Sequence, residues 1–370
     1  MPAKKSNNMD FTLLITVLIL LAIGVSMVFS ASSISSQLKY DDQYYFLKSQ
    51  GAYAILSIIV MLFFSRVNYK ILGRLAPLIV AVSFVLLLLV FVPGIGLKLN
   101  GANRWIDVGI TTMQPSEFAK FALVLYMAKS ISNKKDKIKS FTQGVLPYIL
   151  LMGAYCFLIV IEPNKSMAII FVLLTFTVLF SAGAKIWHLA IWGLPIIPAG
   201  IYIIKSEEYS LARITGYLDP WADPLGTGFQ AIQSLLALGS GGIFGLGLGN
   251  SRQKFFYIPE PQNDFIFSII GEELGFIGTV TIIILFLLLI WRGMRIAMHS
   301  PDTFGCLLAT GIVSMIGIQV ALNIAVATVS IPTTGVSLPF ISAGGTSLLF
   351  VMVNMGILLN ISRNIKTIGS

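Results

Sequence analysis

Four carboxylates stand at the start of one long apolar segment, PEPQNDFIFSIIGEELGFIG, which covers residues 259–278. Glu260 and Asp264 precede the apolar run, whereas Glu272 and Glu273 lie inside it. Ionisable side chains inside a membrane are costly and usually mark a pathway or a site. A carboxylate can also serve as a general base where no histidine is within reach. The segment is therefore the first candidate for chemistry.

Asp264 differs from the other three carboxylates by its position. At 100° per residue along a helix, Gly271, Gly275 and Gly278 fall near the same face as Asp264, and such small residues let another backbone approach closely. Asp264 also stands where an aqueous loop meets the apolar run, near Arg252 and Lys254 in the sequence. We expect Asp264 to be the base; its alternative role is to cap the helix N-terminus.

Several other polar residues inside apolar segments have a structural interpretation. For Glu272 and Glu273 we favour polar contacts between helices, or a place along the wall of a cavity. Gln319 and Asn323 are four residues apart and share a helical face, which predicts interhelical hydrogen bonds rather than a substrate site.

A further charged pair lies in the segment QPSEFAKFALVLYMAKS. Glu117 and Lys120 are three residues apart, and so on one helical face, with the acid nearer the N-terminus as the helix dipole favours. Pro115 suits the first turn of that helix. A structural ion pair and a functional pair both remain open here.

The bulk composition is that of an all-α, polytopic integral membrane protein. Of 370 residues, 56% are hydrophobic and 11% charged, with a mean hydropathy of +0.86, whereas soluble domains carry about 25% charged residues. We predict a single domain, residues 1–370, whose first helix is retained rather than cleaved as a signal peptide. Apolar runs predict about ten transmembrane helices, at 11–30, 46–65, 75–93, 115–131, 145–161, 166–184, 186–204, 265–291, 304–329 and 341–361.

The distribution of charge sets the orientation and explains the net charge of +9. Lysines and arginines concentrate in the segments that become cytoplasmic when both termini are cytoplasmic, as the positive-inside rule requires. No nucleic-acid partner is needed. His188 and His299 fall near cytoplasmic helix ends, which excludes a histidine triad or histidine metal cluster at the outer face. Cys156 and Cys306 are expected to be packing residues.

A large extracytoplasmic loop, residues 205–264, joins the seventh and eighth predicted helices. Its first part contains Asp219, Trp221 and Asp223 in Asp-Pro turns and at an interfacial position. Its second part, AIQSLLALGSGGIFGLGLGN, mixes apolar residues with many glycines. Such a piece can enter a bilayer only where protein or water meets its backbone groups. We expect a re-entrant or interfacial segment that lines a cavity.

Three long motifs carry a resemblance that spans about Phe11 to Arg363. They are GANRWIDVG with QPSEFAK, the stretch from DPLGTGFQ to GEELGFIG, and NIAVATVSIPTTGVSLPFISAGGTSLLF. In these the chain resembles the SEDS family of bacterial shape, elongation, division and sporulation proteins, most closely its FtsW and SpoVE branch. The resemblance implies ten spans in the bacterial plasma membrane, in agreement with the count above.

The resemblance also implies an activity. Family members polymerise lipid II into peptidoglycan glycan strands by inverting glycosyl transfer at the outer membrane face and release undecaprenyl pyrophosphate. They work with a class B penicillin-binding protein and other division or sporulation membrane proteins. The role of this chain in division, sporulation or elongation stays open. Two alternatives are a lipid II flippase and a non-catalytic scaffold for the penicillin-binding protein.

The resemblance places the family's essential aspartate at Asp264, as the base for the acceptor hydroxyl. Substrate-binding roles are expected for a larger group, with the cations directed at the phosphates: Arg104, Glu117, Lys120, Arg213, Lys254, Ser342, Gly344 and Gly345. A divalent cation, Mg²⁺ or Mn²⁺, is left open, with Asp219 or Asp223 as oxygen ligands; no other cofactor is expected.

Two departures from the family pattern affect this transfer of roles. The chain reads EPNKSM at residues 162–167 where many members have Gln-Pro-Asp-Leu-Gly-Thr, so the role of that aspartate is not carried over. It also reads QNDF rather than HTDF at residues 262–265, which keeps Asp264 but removes a neighbouring imidazole.

Overall fold

The computed structural model describes residues 9–99, 102–109, 111–205, 208–255 and 260–365. Ten helices in these ranges occupy the ten predicted positions. Their bounds are α1 Phe11–Tyr40, α2 Tyr45–Phe64, α3 Tyr69–Leu89, α4 Pro115–Lys134, α5 Leu146–Ile161, α6 Lys165–Ser181, α7 Ile186–Lys205, α10 Ile266–Met298, α11 Thr303–Ala327 and α12 Gly345–Arg363. Two shorter helices lie in the large outer loop, α8 Glu208–Leu218 and α9 Phe229–Ser240.

Length and composition support a membrane location for this bundle. Within the described ranges, seven segments are long and apolar enough to cross a membrane, and α6 is a shorter apolar helix. The seven are α1, α2, α3, α10, α11, α12 and Phe141–Ile161, which joins a short π-helical turn to α5. The predicted all-helical membrane architecture is confirmed.

Helix ends differ from prediction where turn chemistry overrides hydropathy. α1 extends to Tyr40, well past residue 30, because its polar last turns continue the same hydrogen-bonded ladder. α12 begins at Gly345 rather than at residue 341. Pro332 and Pro339 lack a backbone N–H, so the connection before α12, residues 328–344, does not continue as a helix.

A small antiparallel sheet in the loop between α3 and α4 was not predicted. Its strands are β1 Gly96–Leu99, β2 Ala102–Asp107 and β3 Thr112–Met113, in the order β1-β2-β3. The strands have four, six and two residues, too few for their alternation to stand out in an apolar chain. The sheet matters because β2 carries Arg104.

Polar contacts join helix ends on the side predicted to be cytoplasmic. Asp10 caps α1 by accepting a hydrogen bond from Leu13 N–H, and its carboxylate pairs with Arg292 near the end of α10 at 2.6 Å. Its own N–H donates to Ser362 Oγ at the end of α12. The start of α1 and the ends of α10 and α12 therefore lie together, as the predicted topology requires.

The glycine-rich segment after α9 packs into a break in α10. Gly275 has φ 67° and interrupts the helix. The N–H groups of Leu246 and Gly247 donate to the carbonyls of Glu272 and Glu273 at 2.9 and 3.0 Å. In return, Phe276 N–H donates to Gly242 O at 2.9 Å. The glycine segment, residues 241–249, thus meets α10 backbone to backbone, and its prediction as a re-entrant or interfacial piece that lines a cavity stays a prediction.

Close packing explains why glycines stand on both sides of this contact. A Cβ on Gly241 would collide with the carbonyl of Gly271, and one on Gly245 would collide with that of Glu273. A Cβ on Gly275 would collide with the N–H of Gly245. The predicted small face of α10 therefore admits a second backbone.

Glu272 and Glu273 hold the residues that follow the glycine segment. Glu272 accepts hydrogen bonds from Ser251 Oγ and from the backbone N–H of Arg252, at 2.9 Å for the latter. Glu273 accepts from Ser30 Oγ of α1 and pairs with Lys254 Nζ at 3.3 Å. Both glutamates are fully buried, and the structural interpretation of these residues fits every contact.

This arrangement gives Lys254 a structural environment. Its side chain is 3% exposed and its ammonium also donates to Gly249 O. Glu273 lies nine residues beyond Asp264, about 13 Å along a helix axis. The predicted phosphate-binding role of Lys254 therefore has no support in this geometry.

We expect Gly245→Ala to destabilise the protein. Gly245 has φ 81° and no room for a Cβ, so a side chain adds backbone strain of about 1–3 kcal/mol in addition to the clash. Thermal unfolding in detergent measures the effect. Gly239→Ala is the matched control because Gly239 lies in α9 with open space around it, and alanine favours helices. An equal loss in both variants would contradict the described packing.

We expect Lys254→Met to lower stability by about 3–5 kcal/mol, because it leaves the Glu273 carboxylate buried without its cation. The double variant Lys254→Met/Glu273→Gln should regain most of the lost Tm, since both charges are then absent. Thermal unfolding of the three proteins is the measurement. A Lys254→Met protein with unchanged Tm but weakened phosphate binding would instead restore the substrate-binding role.

Candidate active site

Asp264 lies in the turn before α10 and does not cap that helix. The cap position belongs to Phe265, which makes no side-chain capping bond. The side chain of Asp264 is partly exposed. Among the described residues, no donor hydrogen-bonds its carboxylate, so the helix-cap alternative is wrong and the carboxylate remains available for a ligand.

The α11–α12 connection, residues 328–344, holds the Asp264 turn in place. Ser342 Oγ donates to the carbonyl of Asn263 at 2.7 Å, and Ala343 N–H donates to that of Gln262 at 2.9 Å. A Cβ on Gly335 would lie 3.5 Å from Asp264 Oδ2. The connection therefore passes directly beside the carboxylate.

Two arginines from distant parts of the chain act on Asp264. Burial raises the pKa of Asp264 to about 6; the Arg213 charge opposes this rise, Glu260 adds to it, and Arg104 opposes it. Arg213 comes from α8 and Arg104 from β2. Of the nearby cations predicted from the sequence, Lys254 instead pairs with Glu273, and Arg252 binds Glu272 through its backbone N–H.

Backbone carbonyls orient both arginines. Arg213 Nη1 donates to Thr333 O at 3.1 Å, on the α11–α12 connection. Arg104 Nε donates to Glu162 O at 3.3 Å, and its Nη2 contacts the carbonyl of Pro163. Fixed guanidinium groups beside a carboxylate can bind an anionic leaving group while the carboxylate takes a proton.

Sequence reasoning missed Glu162 as a candidate for the site. Its side chain is fully buried, and neither carboxylate oxygen has a hydrogen-bond partner in the described part of the chain. Burial raises the pKa of Glu162 to about 8, and the Arg104 charge opposes the rise. Two features of the sequence could have identified it. Glu162 is an acidic residue directly after an apolar run, and it begins the EPNKSM segment that departs from the family pattern.

The Glu117–Lys120 pair predicted from the sequence forms inside the bundle. Lys120 Nζ lies 2.9 Å from Glu117 Oε1 at the start of α4, and the two side chains are 1% and 4% exposed. Ring contact between Phe118 and Phe350 packs this turn of α4 against α12. The pair is thus an ion pair buried within the bundle, and a role in substrate binding stays a prediction.

Three predicted substrate-binding residues make contacts within the protein near the Asp264 turn: Ser342, Gly344 and Gly345. The Ser342 hydroxyl accepts from Leu338 N–H as well as donating to the Asp264 turn. Gly344 N–H donates to Gln50 Oε1 at 3.4 Å. Gly345 begins α12 with the ring of Tyr53 against it. Contact of these residues with substrate stays a prediction.

Asp219 and Asp223, the proposed metal ligands, lie in the turns of the large loop. Asp219 and Asp223 flank the short helix Pro220–Ala222, and Asp223 Oδ2 accepts the Thr227 N–H to close a turn. Within the described ranges, no cluster of three or more histidine, cysteine or acidic side chains is placed to hold a metal ion. A divalent cation with Asp219 or Asp223 as a ligand stays a prediction.

Known proteins match this sequence over nearly the whole chain. The family model FTSW_RODA_SPOVE, described as cell cycle protein, matches residues 11–367. Stage V sporulation protein E of Bacillus subtilis strain 168 is 46% identical over 359 residues, covering 97% of this chain and 98% of that protein. A probable peptidoglycan glycosyltransferase FtsW of Geobacter sp. strain M18 is 42% identical and covers 98% and 99%.

Solved structures show the same fold. A chain from a peptidoglycan synthase complex, reported for its coordination of polymerization and crosslinking, has a TM-score of 0.79 at 28% identity and covers 97% of this chain and 99% of that one. The rod shape determining protein RodA of Thermus thermophilus has a TM-score of 0.71 at 27% identity, with coverage of 96% and 97%. The chain therefore belongs to the FtsW, RodA and SpoVE family of cell cycle proteins.

Proposed function

We propose that this protein is a peptidoglycan glycosyltransferase that polymerises lipid II at the outer face of the bacterial plasma membrane. The observation that carries the proposal is the Asp264 carboxylate, which is partly exposed and has no hydrogen-bond donor among the described residues. Two arginines act on it from different elements. Relatives named as peptidoglycan glycosyltransferases support the same activity.

Asp264 acts as general base in a single displacement. It takes the proton of the acceptor sugar's 4-hydroxyl as that oxygen attacks the anomeric carbon of the lipid-linked donor. The new C–O bond forms while the bond from the anomeric carbon to the pyrophosphate oxygen breaks. Undecaprenyl pyrophosphate leaves with the bonding electrons, and an α-linked donor gives a β-linked product without a glycosyl-enzyme intermediate.

Arg104 and Arg213 stabilise the leaving pyrophosphate. Each guanidinium is oriented by a backbone carbonyl, from Glu162 for Arg104 and from Thr333 for Arg213. Groups fixed before the reaction need little reorganisation when negative charge develops on the leaving oxygen.

We also propose a class B penicillin-binding protein as partner. The similar chain of known structure comes from a peptidoglycan synthase complex that couples polymerization to crosslinking. A transferase that makes uncrosslinked strands needs a transpeptidase to act on its product. Association with further division or sporulation membrane proteins remains part of the proposal.

The contacts of the intramembrane charges favour transfer over transport. A lipid II flippase requires charged groups along a path reached from both sides of the membrane. Glu272 accepts from the backbone N–H groups of residues 252 and 253. Glu273 pairs with Lys254, and Glu117 pairs with Lys120. These charges are engaged in contacts that hold the fold together.

We expect Asp264→Asn to abolish glycan synthesis, because an amide cannot accept the hydroxyl proton. The protein with its penicillin-binding partner, supplied with labelled lipid II, should yield long glycan only for wild type when products are resolved by length. Glu260→Gln is the matched control, since its exposed carboxylate lies four residues earlier. An Asp264→Asn protein that folds, binds its partner and polymerises at the wild-type rate would support the scaffold alternative.

We expect the pH dependence of the polymerisation rate to depend on the charges around Asp264. The base is active when ionised, so the rate is retained above the pKa of Asp264, about 6, and falls as pH drops through it. Arg213→Gln removes a charge that lowers this pKa and should move the acidic limb to higher pH. Glu260→Gln removes a charge that raises it and should move the limb to lower pH.

Initial rates measured from about pH 5 to about pH 8 test these shifts. Arg213→Lys keeps the positive charge and should leave the limb near its wild-type position, even if the rate falls. Shifts of the same sign in Arg213→Gln and Glu260→Gln would show that Asp264 is not the titrating base.

A further inference from the structure

One buried amide connects the two segments that form the candidate active site. Asn323 lies on α11 and is fully buried. Its Nδ2 group donates to the carbonyl of Asp264 and to that of Val336, each at 2.8 Å. An amide nitrogen has two N–H donors, and here both are used. The side chain therefore links the Asp264 turn to the α11–α12 connection.

The chemistry of the neighbours fixes the orientation of this amide. Both facing groups are carbonyl oxygens, which can only accept, so the nitrogen of Asn323 must point at them. Its Oδ1 has no hydrogen-bond partner among the described residues. The sequence predicted an interhelical hydrogen bond for Asn323, but its recorded partners are carbonyls outside the helices.

The second partner of Asn323, Val336, lies on the α11–α12 connection that passes beside the Asp264 carboxylate. Val336 follows Gly335, the position where an added Cβ would lie 3.5 Å from Asp264 Oδ2. Thr333, on the same connection, accepts the hydrogen bond of Arg213. Asn323 thus holds the carboxylate turn against the segment that orients the Arg213 guanidinium.

We infer that Asn323 is a positioning residue for the transfer reaction: its two N–H groups set the place of the Asp264 carboxylate relative to the Arg213 guanidinium. The inference rests on the proposed function. A displacement of about 1 Å between base and leaving-group contacts can cost about 100-fold in rate. Loss of both donors should therefore act on turnover more than on substrate binding.

The test compares Asn323→Leu with Gln319→Met in the complex with its penicillin-binding partner and lipid II. Gln319 is the matched control because it lies one turn earlier on α11, is also buried, and has an Oε1 without a partner in the described chain. We expect Asn323→Leu to lower kcat about 10- to 100-fold with little change in KM. Gln319→Met should keep a kcat close to wild type.

A double-mutant cycle separates positioning from general damage to the fold. In the Arg213→Gln background, which keeps the base, Asn323→Leu should cost less in kcat than it does in wild type, because one of the two groups whose relation it sets is absent. Asn323→Ser, which keeps one donor, should give an intermediate kcat with a Tm near wild type. Wild-type kcat in folded Asn323→Leu and Asn323→Ser, or an equal loss in Gln319→Met, would overturn the inference.

A failure of the proposed function and a failure of the positioning role would give different experimental results. If Asp264→Asn polymerises lipid II at the wild-type rate, the base assignment fails whatever Asn323 does. If Asp264→Asn is inactive and both folded Asn323 variants turn over normally, only the positioning role fails.

Discussion

The outer half of the protein depends on the backbone hydrogen bonds between the glycine segment and the break in α10. A bilayer offers no water to a peptide group, so a helix can be interrupted there only where another backbone supplies the missing partners. Leu246, Gly247 and Phe276 take part in that exchange. The contact fixes the outer piece of α10, and with it the turn that contains Asp264.

The carboxylates around this contact have two kinds of environment. Glu272 and Glu273 are fully buried and bound to a loop and to Lys254, so their charges stabilise an arrangement that already exists. Asp264 lies in the turn just before the helix, where burial raises its pKa but no described donor binds its carboxylate. The same short stretch of sequence therefore provides both the support for the site and the group that reacts.

Much of this could be predicted from the sequence because hydropathy and spacing are local properties. Ten apolar runs gave ten helices, and the i,i+3 spacing of Glu117 and Lys120 gave their pairing. The cations near Asp264 could not be predicted in the same way. Lys254 is close to Asp264 in the sequence but pairs with Glu273. Arg104 acts on Asp264 from β2, a strand that is too short to be recognised in the sequence. Such proximity depends on tertiary packing, which single-sequence patterns do not encode.

The same limit applies to Asn323. Its position on an apolar helix indicated a hydrogen bond to another helix, the commonest use of such a residue. The carbonyls that it binds belong to non-helical segments 59 and 13 residues away in the chain. An amide's partners are set by what the fold brings to it.

The contact between Ser30 and Glu273 has a consequence for how the protein is made. These residues are 243 positions apart, and the Asp10–Arg292 pair spans 282. During synthesis α1 enters the membrane long before α10 has been made. Ser30 and Asp10 therefore lack their hydrogen-bond partners, Glu273 and Arg292, until α10 is inserted. The site is completed only when α10, α11 and α12 have been inserted, which makes assembly of the catalytic turn one of the last events in the biogenesis of the chain.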